Sequence, residues 1–274
     1  MCKIDKGASL IFDKGQVALA YGNLKRQWSK WSATDTTDGD PGSGRIQRVL
    51  AWIGSHEPHV LVAFVLFAGA MWTFAELTDS VLEGDTATVD ERLLLALREP
   101  GDITDPIGPH WFEETARDIT GLGGIGILTL VTLIAAGFLA LQRKRHTAIY
   151  LVLATGSGIM VSTILKWIFA RPRPDLVPHA QVVYTNSFPS GHSMMSAVTF
   201  LTIGALLAGV QTGVRLKAYL LAVAAMLTLL VGLSRVYLGV HWPTDVLAGW
   251  TAGAAWAFLC WIVAEWLRKR GEVE

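Results

Sequence analysis

The chain has 274 residues, and its 23 basic and 23 acidic side chains give a formal net charge of zero, so charge gives no argument for nucleic acid binding. Apolar residues make up 51% of the chain, charged residues only 17%, and the mean hydropathy is +0.40. This composition excludes an ordinary soluble domain and predicts a membrane protein. The 11 tryptophans agree, because tryptophan is enriched at membrane–water interfaces.

The first predicted region, residues 1–58, is polar and mixed in composition. Its segment 33–44 is rich in Thr, Asp and Gly, which indicates a linker. In residues 45–53 the apolar positions recur at helical spacing, which predicts a short amphipathic helix on the membrane surface, or else a helix packed on its own tail. We therefore expect a partly disordered cytoplasmic tail.

Six apolar segments are candidate membrane spans, each of which needs about 20 residues, and the fourth and fifth are short. They cover residues 59–77, 121–142, 147–169, 193–210, 218–233 and 246–267. Each must be a helix, because the bilayer core offers no water to an open backbone. The sequence thus predicts an all-α membrane domain over 59–267 and a short cytoplasmic tail over 268–274.

The loop at 78–120, between the first two spans, is acidic. An amphipathic stretch at 89–98, and a second stretch at 106–118 that carries Trp111 and Phe112, predict two short helices resting at the interface. We expect this loop to contribute to substrate choice.

Basic residues predict the orientation of the spans. If six spans alternate, the basic turns at 142–145 and 215–217 and the basic stretch at 268–270 lie on the same side as both termini. The positive-inside rule then places this side in the cytoplasm. The acidic loop and three polar clusters fall on the extracytoplasmic side.

The first polar cluster follows the third span and holds Lys166, Arg171 and Arg173. Pro172 and Pro174 predict an extended segment, because a proline disfavours helix in the residue before it. Arginine binds phosphate oxygens through two parallel hydrogen bonds, and lysine adds a point charge. Taken alone, however, such cations are more often anchors at headgroup level.

The second cluster is Pro189-Ser190-Gly191-His192, directly before the fourth span. The free N–H groups of a helix N-terminus bind anions, and Gly191 allows a ligand to approach the backbone closely. Ser190 is expected either to cap the helix or to donate to phosphate. His192 has the chemistry of a general acid.

The third cluster joins the last two spans and contains Ser234, Arg235, His241 and Asp245. A histidine and an aspartate four residues apart share one face of a helix, so the carboxylate can hold one imidazole nitrogen and leave the other as a nucleophile. For this pair alone, a structural histidine with a capping aspartate, or half of a metal site, is the alternative.

Together the clusters read K-x6-R-P from Lys166, P-S-G-H from Pro189 and S-R-x5-H-x3-D from Ser234. This pattern resembles the signature of the type 2 phosphatidic acid phosphatase (PAP2) family. The six-span layout over 59–267 is similar to the membrane-bound lipid phosphatases of that family. Residues 1–58 lie outside the resemblance.

The resemblance implies a mechanism that needs no metal or other cofactor. His241 would attack phosphorus and form a phosphohistidine, Asp245 would orient it, and His192 would protonate the leaving oxygen. The groups implied to hold the phosphate are Lys166, Arg173, Ser190, Gly191 and Arg235, with Arg171 in an auxiliary role. The implied partner is a lipid phosphate within the bilayer: undecaprenyl pyrophosphate, phosphatidic acid or phosphatidylglycerophosphate.

Two other functions stay open: a lipid phosphotransferase of the same family, and a transporter or channel with a basic anion site. The oligomeric state cannot be read from the sequence. The segment 121–126 fits G-x-G-x-x-G, but it opens a span and follows no strand. It therefore predicts close packing of helices rather than a dinucleotide site.

Overall fold

The computed structural model describes residues 58–177 and 186–269. These residues form eight helices and one two-stranded antiparallel sheet. In chain order the elements are α1 (Pro58–Glu83), α2 (Ala87–Leu95), β1 (Arg98–Glu99), β2 (Asp102–Pro106), α3 (His110–Gly121), α4 (Ile125–Leu141), α5 (Arg145–Phe169), α6 (Gly191–Gly209), α7 (Val214–Tyr237) and α8 (Pro243–Lys269). The predicted tail at 1–58 and its amphipathic helix lie outside the described residues, except that residue 58 begins α1.

Five of the described helices, α1 and α5 to α8, are long and apolar enough to cross a membrane. A sixth span results if α3 and α4 are counted together, although the two helices meet at a bend of 52°. By itself α4 has 17 residues, which corresponds to about 25 Å of helix. The predicted all-α membrane fold is confirmed, and a count of six depends on this bent pair.

Several helices extend beyond the predicted spans. Helix α7 covers Val214–Tyr237 where the sequence predicted 218–233, and α8 begins at Pro243 rather than at residue 246. The predictions stopped at polar residues because they counted only apolar ones. The helices continue through Arg235 and Asp245 because these buried side chains have polar partners inside the protein.

The most buried spanning helix is α6, which packs against α5, α7 and α8. Two glycines of α8 bring its backbone directly onto α6. A Cβ at Gly249 would lie 2.6 Å from the carbonyl oxygen of Ser190, and a Cβ at Gly253 would lie 2.4 Å from that of Met194. Small residues therefore fix the contact between these two helices, as in many membrane helix pairs.

The loop after α1 contains two short helices, α2 and α3, and also the β1–β2 hairpin, which the sequence analysis did not predict. The loop is tied to the end of α7. Nη2 of the buried Arg98 donates to the carbonyl of Tyr237 (3.0 Å), and the Tyr237 hydroxyl donates to the carbonyl of Ile107 (2.9 Å). Placement of α2 and α3 at the membrane interface stays a prediction.

Candidate active site

The three polar clusters meet at one end of the helix bundle. The C-terminal ends of α5 and α7 and the N-terminal end of α6 contribute to one cavity of about 370 Å³. Six of the eight predicted site residues line it: Lys166, Arg173, Gly191, His192, Arg235 and His241. The other two, Ser190 and Asp245, are fully buried: Asp245 contacts His241, and Ser190 directly precedes Gly191 in the chain.

The segment after α5 separates its two arginines. Ala170 ends the helix in a left-handed conformation (φ 42°), and the residues that follow are not helical. Side chains two apart in an extended segment point to the same side, yet the two guanidinium groups reach different partners. Arg173 lines the cavity, whereas Arg171 forms ion pairs with Asp90 and Asp245.

His241 and Asp245 form the buried pair that the sequence predicted. His241 lies in the turn before α8, and Asp245 lies in the first turn of that helix. Nδ1 of His241 is 3.4 Å from Oδ2 of Asp245 and 3.3 Å from Oγ of Ser187. On the other side of the ring, Nε2 is 3.1 Å from Nη1 of Arg173.

The hydrogen bonds around Asp245 indicate which imidazole nitrogen carries the proton. Ser187 donates its hydroxyl hydrogen to Oδ2 of Asp245, so the Ser187 oxygen is left as an acceptor toward Nδ1 of His241. Nδ1 therefore carries the hydrogen, and the lone pair of Nε2 accepts from Nη1 of Arg173. The backbone N–H of Trp242 adds a third donor to Oδ2 (3.0 Å).

Burial lowers the pKa of His241 well below its ordinary value, and the neighbouring cations, first among them Arg173, act in the same direction. The imidazole is thus neutral at neutral pH, which is the state a nucleophile requires. Burial also lowers the pKa of Arg173, while Asp245 opposes that change. Arginine still remains protonated, because its ordinary pKa exceeds about 12.

Backbone and cationic groups also line the cavity. Nζ of Lys166 donates to the carbonyl of Asn186 (2.6 Å), and a Cβ at Gly191 would lie 3.1 Å from Cε of Lys166. Nη1 of the buried Arg235 donates to Oγ1 of Thr120 (3.1 Å). The N-terminus of α6 begins at Gly191, so its free N–H groups adjoin these cations.

Ser190 acts as the cap of α6. Its oxygen accepts from the N–H of Ser193 (3.4 Å) and from the Ser193 hydroxyl (2.9 Å), and its own N–H donates to the carbonyl of Asp245 (2.9 Å). Of the two roles expected from the sequence, the structure shows capping. The residue links the start of α6 to the start of α8.

The structure adds site residues that the motifs did not include. Ser187 contacts both His241 and Asp245, Asp90 holds Arg171, and Thr120 holds Arg235. None of the three has a motif or spacing that marks it. Gly123 had a signal, because the glycine-rich segment 121–126 predicted close helix packing. A Cβ at Gly123 would lie 2.3 Å from Cγ1 of Val231, whereas a Cβ at Gly126 would have no neighbour within 4 Å, so close packing occurs at Gly123 and not at Gly126.

The residues that the structure describes contain no group of three or more His, Cys, Asp and Glu side chains that could hold a metal ion. His241 and Asp245 instead have hydrogen-bond partners within the protein. A helical membrane bundle with a neutral, buried histidine facing a cluster of cations defines a membrane enzyme equipped for transfer of an anionic group.

Comparison with known proteins identifies the family. The model of the PAP2 superfamily matches residues 147–269. Phosphatidylglycerophosphatase B of Bacillus subtilis (strain 168) is 33% identical over 208 residues, which cover 74% of this chain and 93% of that protein. The undecaprenyl-diphosphatase of Sulfolobus acidocaldarius is 31% identical over 134 residues, which cover 46% of this chain and 59% of that protein.

The crystal structure of a transmembrane PAP2 type phosphatidylglycerolphosphate phosphatase from Bacillus subtilis is also similar. It superimposes with a TM-score of 0.67 at 29% identity, over 73% of this chain and 96% of that one. The present chain belongs to the PAP2 superfamily and is a multi-pass membrane phosphatase.

Proposed function

We propose that the chain hydrolyses a lipid phosphate monoester or pyrophosphate through a phosphohistidine on His241. The observation that carries this proposal is the orientation of that ring. Its Nδ1–H is held by Asp245 and Ser187, and its Nε2 lone pair lies on the side of the cationic cavity. A neutral imidazole held in one tautomer is a ready nucleophile.

In the first step Nε2 of His241 forms a bond to phosphorus while the bond from phosphorus to the lipid oxygen breaks. His192, which lines the same cavity, gives its proton to the leaving oxygen. In the second step water attacks phosphorus, the bond from phosphorus to Nε2 of His241 breaks, and His192 takes a proton from that water. Asp245 stabilises the positive charge that develops on His241 during attack.

The negative charge of the phosphoryl group is neutralised by fixed protein groups. Lys166, Arg173 and Arg235 line the cavity, and the N-terminus of α6 at Gly191 supplies backbone N–H groups. Phosphoryl transfer depends mainly on positioning and on charge stabilisation of this kind. We therefore propose that the reaction needs no metal ion.

A lipid substrate fits a cavity that is lined by both polar and apolar side chains. Beside the polar residues, Ile125 of α4 and Ile159 and Trp167 of α5 line it. The Trp167 side chain is 84% exposed on the outer surface of α5. Of the candidate substrates, phosphatidylglycerophosphate has the strongest support, because the Bacillus subtilis phosphatidylglycerophosphatase B and the Bacillus subtilis crystal structure, matched over 93% and 96% of their lengths, carry that activity in their names.

We further propose that the site faces the extracytoplasmic side and that both termini are cytoplasmic. The turn between α4 and α5 carries Arg143, Lys144 and Arg145, and α7 begins with Arg215 and Lys217. These basic residues lie at the helix ends away from the site, as the positive-inside rule requires. In this arrangement residues 1–58 and 268–274 are cytoplasmic tails of a membrane domain at 59–267.

The test is release of inorganic phosphate by the purified protein in detergent and EDTA, with phosphatidylglycerophosphate, phosphatidic acid and undecaprenyl pyrophosphate as substrates. We expect the wild-type protein to release phosphate and His241→Ala to release none. The control is His110→Ala, at an exposed histidine near the same end of the bundle, which should keep the wild-type activity. Activity that disappears in EDTA and returns with a divalent ion would contradict the metal-free mechanism. Phosphate that appears on an added acceptor lipid instead of in water would identify a phosphotransferase.

A further inference from the structure

Asp90 is a fully buried carboxylate on α2, within the loop that precedes the three polar clusters. Its three hydrogen bonds all reach the neighbourhood of the site. Oδ1 accepts from the backbone N–H of Thr244 (3.0 Å), and Oδ2 accepts from the Thr244 hydroxyl (2.6 Å) and from Nη2 of Arg171 (2.8 Å). A buried carboxylate with this many charged and polar partners is held in one orientation.

Arg171 connects Asp90 to the histidine–aspartate pair. Its Nη2 binds Asp90, while its Nη1 donates to Oδ1 of Asp245 (2.7 Å) and to the Thr244 hydroxyl (2.9 Å). The guanidinium also lies 5.7 Å from the ring centroid of Trp242. One cation is thus shared between two buried carboxylates that are far apart in the sequence.

This sharing determines how Arg171 can contact Asp245. An arginine next to a single carboxylate commonly binds both of its oxygens with two parallel hydrogen bonds. Here Asp90 takes one arm of the guanidinium, so Arg171 reaches only Oδ1 of Asp245. The other oxygen, Oδ2, is left for His241 and its neighbours.

We propose that Asp90 is a positioning residue that keeps Arg171 on one oxygen of Asp245 and so reserves the other oxygen for His241. The inference rests on the proposed role of His241 as nucleophile. Asp90, Arg171 and Thr244 are absent from the cavity lining, so the effect passes through Asp245 rather than through contact with the phosphate. Loss of Asp90 should therefore slow the chemical step and leave substrate binding unchanged.

The variant that tests this inference is Asp90→Asn, which keeps the size of the side chain and one acceptor for Thr244 while removing the negative charge. We expect kcat to fall roughly 10- to 100-fold, the range found when partners that orient a reacting group are removed at metal sites. KM should stay within about twofold of the wild-type value, because the contacts that bind the substrate are not changed. The matched control is Glu91→Gln, which removes the neighbouring exposed carboxylate of the same helix and should leave kcat at the wild-type value.

A double mutant separates positioning from a merely structural role. Because Asp90 acts through Arg171, Asp90→Asn should change kcat by less than about twofold in an Arg171→Gln background. If the two effects multiply, or if KM rises in proportion to the loss of kcat, the inference is wrong. Wild-type kcat in Asp90→Asn would also overturn it.

Size-exclusion chromatography and thermal unfolding in detergent confirm that each variant is folded before kcat is measured. If Asp90→Asn cannot be recovered folded, Asp90→Glu takes its place, since the longer side chain keeps the charge and displaces the carboxylate. A wild-type kcat in that variant would overturn the inference. If the proposed function itself is wrong, the result is different: the wild-type protein and His241→Ala release phosphate equally, or neither releases any.

Discussion

Gly123 offers a direct test of how tightly the site is packed. It lies between α3 and α4, and its φ is outside the left-handed region, so alanine is allowed by the backbone. A Cβ at this position would lie 2.3 Å from Cγ1 of Val231 and 3.3 Å from Cβ of His192. Gly123→Ala therefore pushes against two helices that carry site residues.

The size of the effect follows from these distances. Ordinary contacts of a Cβ lie at 3.4–4 Å, so Val231, which is fully buried on α7, must move by about 1 Å. Arg235 lies one turn further along the same helix. Overpacking of this kind costs about 1–3 kcal/mol of stability. A displacement of about 1 Å at a catalytic group can lower the rate roughly 100-fold.

The assay is kcat/KM for phosphate release, with Gly126→Ala as the control. A Cβ at Gly126 has no neighbour within 4 Å, so this substitution within α4 should be neutral or slightly stabilising. Combining Gly123→Ala with Val231→Ala removes the colliding methyl group. The double mutant should therefore have most of the activity of Val231→Ala alone. Full activity in Gly123→Ala, or no recovery in the double mutant, would refute the packing argument.

Three further predictions concern the residues around the nucleophile. Because burial lowers the pKa of His241, its ring should stay neutral as the pH falls from about 8 to about 6, a range in which a histidine with the ordinary pKa of about 6.5 gains its proton. The 13Cε1 NMR signal of His241, assigned by its loss in His241→Asn, should therefore not shift in that range. In the unfolded chain His241 binds this proton at a higher pH than in the folded protein, so His241 should lower the free energy of unfolding as the pH falls below about 6.5. Ser187→Ala should lower kcat roughly 10- to 100-fold in the phosphate-release assay, since hydrogen bonds to charged groups contribute about 1.5–3 kcal/mol; an unchanged kcat would exclude this role. Arg173→Lys should lower kcat/KM by roughly 100-fold or more, because lysine cannot donate to the Val240 carbonyl and to a phosphate oxygen with the planar geometry of arginine. Equal activity of the variant and the wild type would contradict the role of Arg173 in phosphate binding.

The helices could be predicted from the sequence because they have local signals, and the candidate site residues that line the cavity have local signals too. Apolar runs mark the spans, and Lys166, His192 and His241 lie in short motifs at the ends of those runs. The structure brings these residues to one cavity because helices of alternating direction place every second connection at the same end.

What could not be predicted are contacts between segments that are distant in the chain. Asp90 is 81 residues from Arg171, and Thr120 is 115 residues from Arg235. Nothing in the local pattern distinguishes Asp90 from its exposed neighbour Glu91, because burial of one of them is decided by how the loop folds back onto α8. The β1–β2 hairpin was missed for a similar reason, since its two strands are short and polar.

The backbone contact between α6 and α8 has a consequence for the behaviour of the protein in different bilayers. At Gly249 and Gly253 the backbone of α8 has no side chain of its own and meets only backbone atoms and the small side chains of Ser193 and Ala197 on α6, so these contacts contain little flexible material that could deform when the lipid thickness changes. Spanning helices respond to such changes mainly by tilting. We expect α6 and α8 to tilt as a single body, so that His192 and Asp245 keep their separation when the thickness of the bilayer changes.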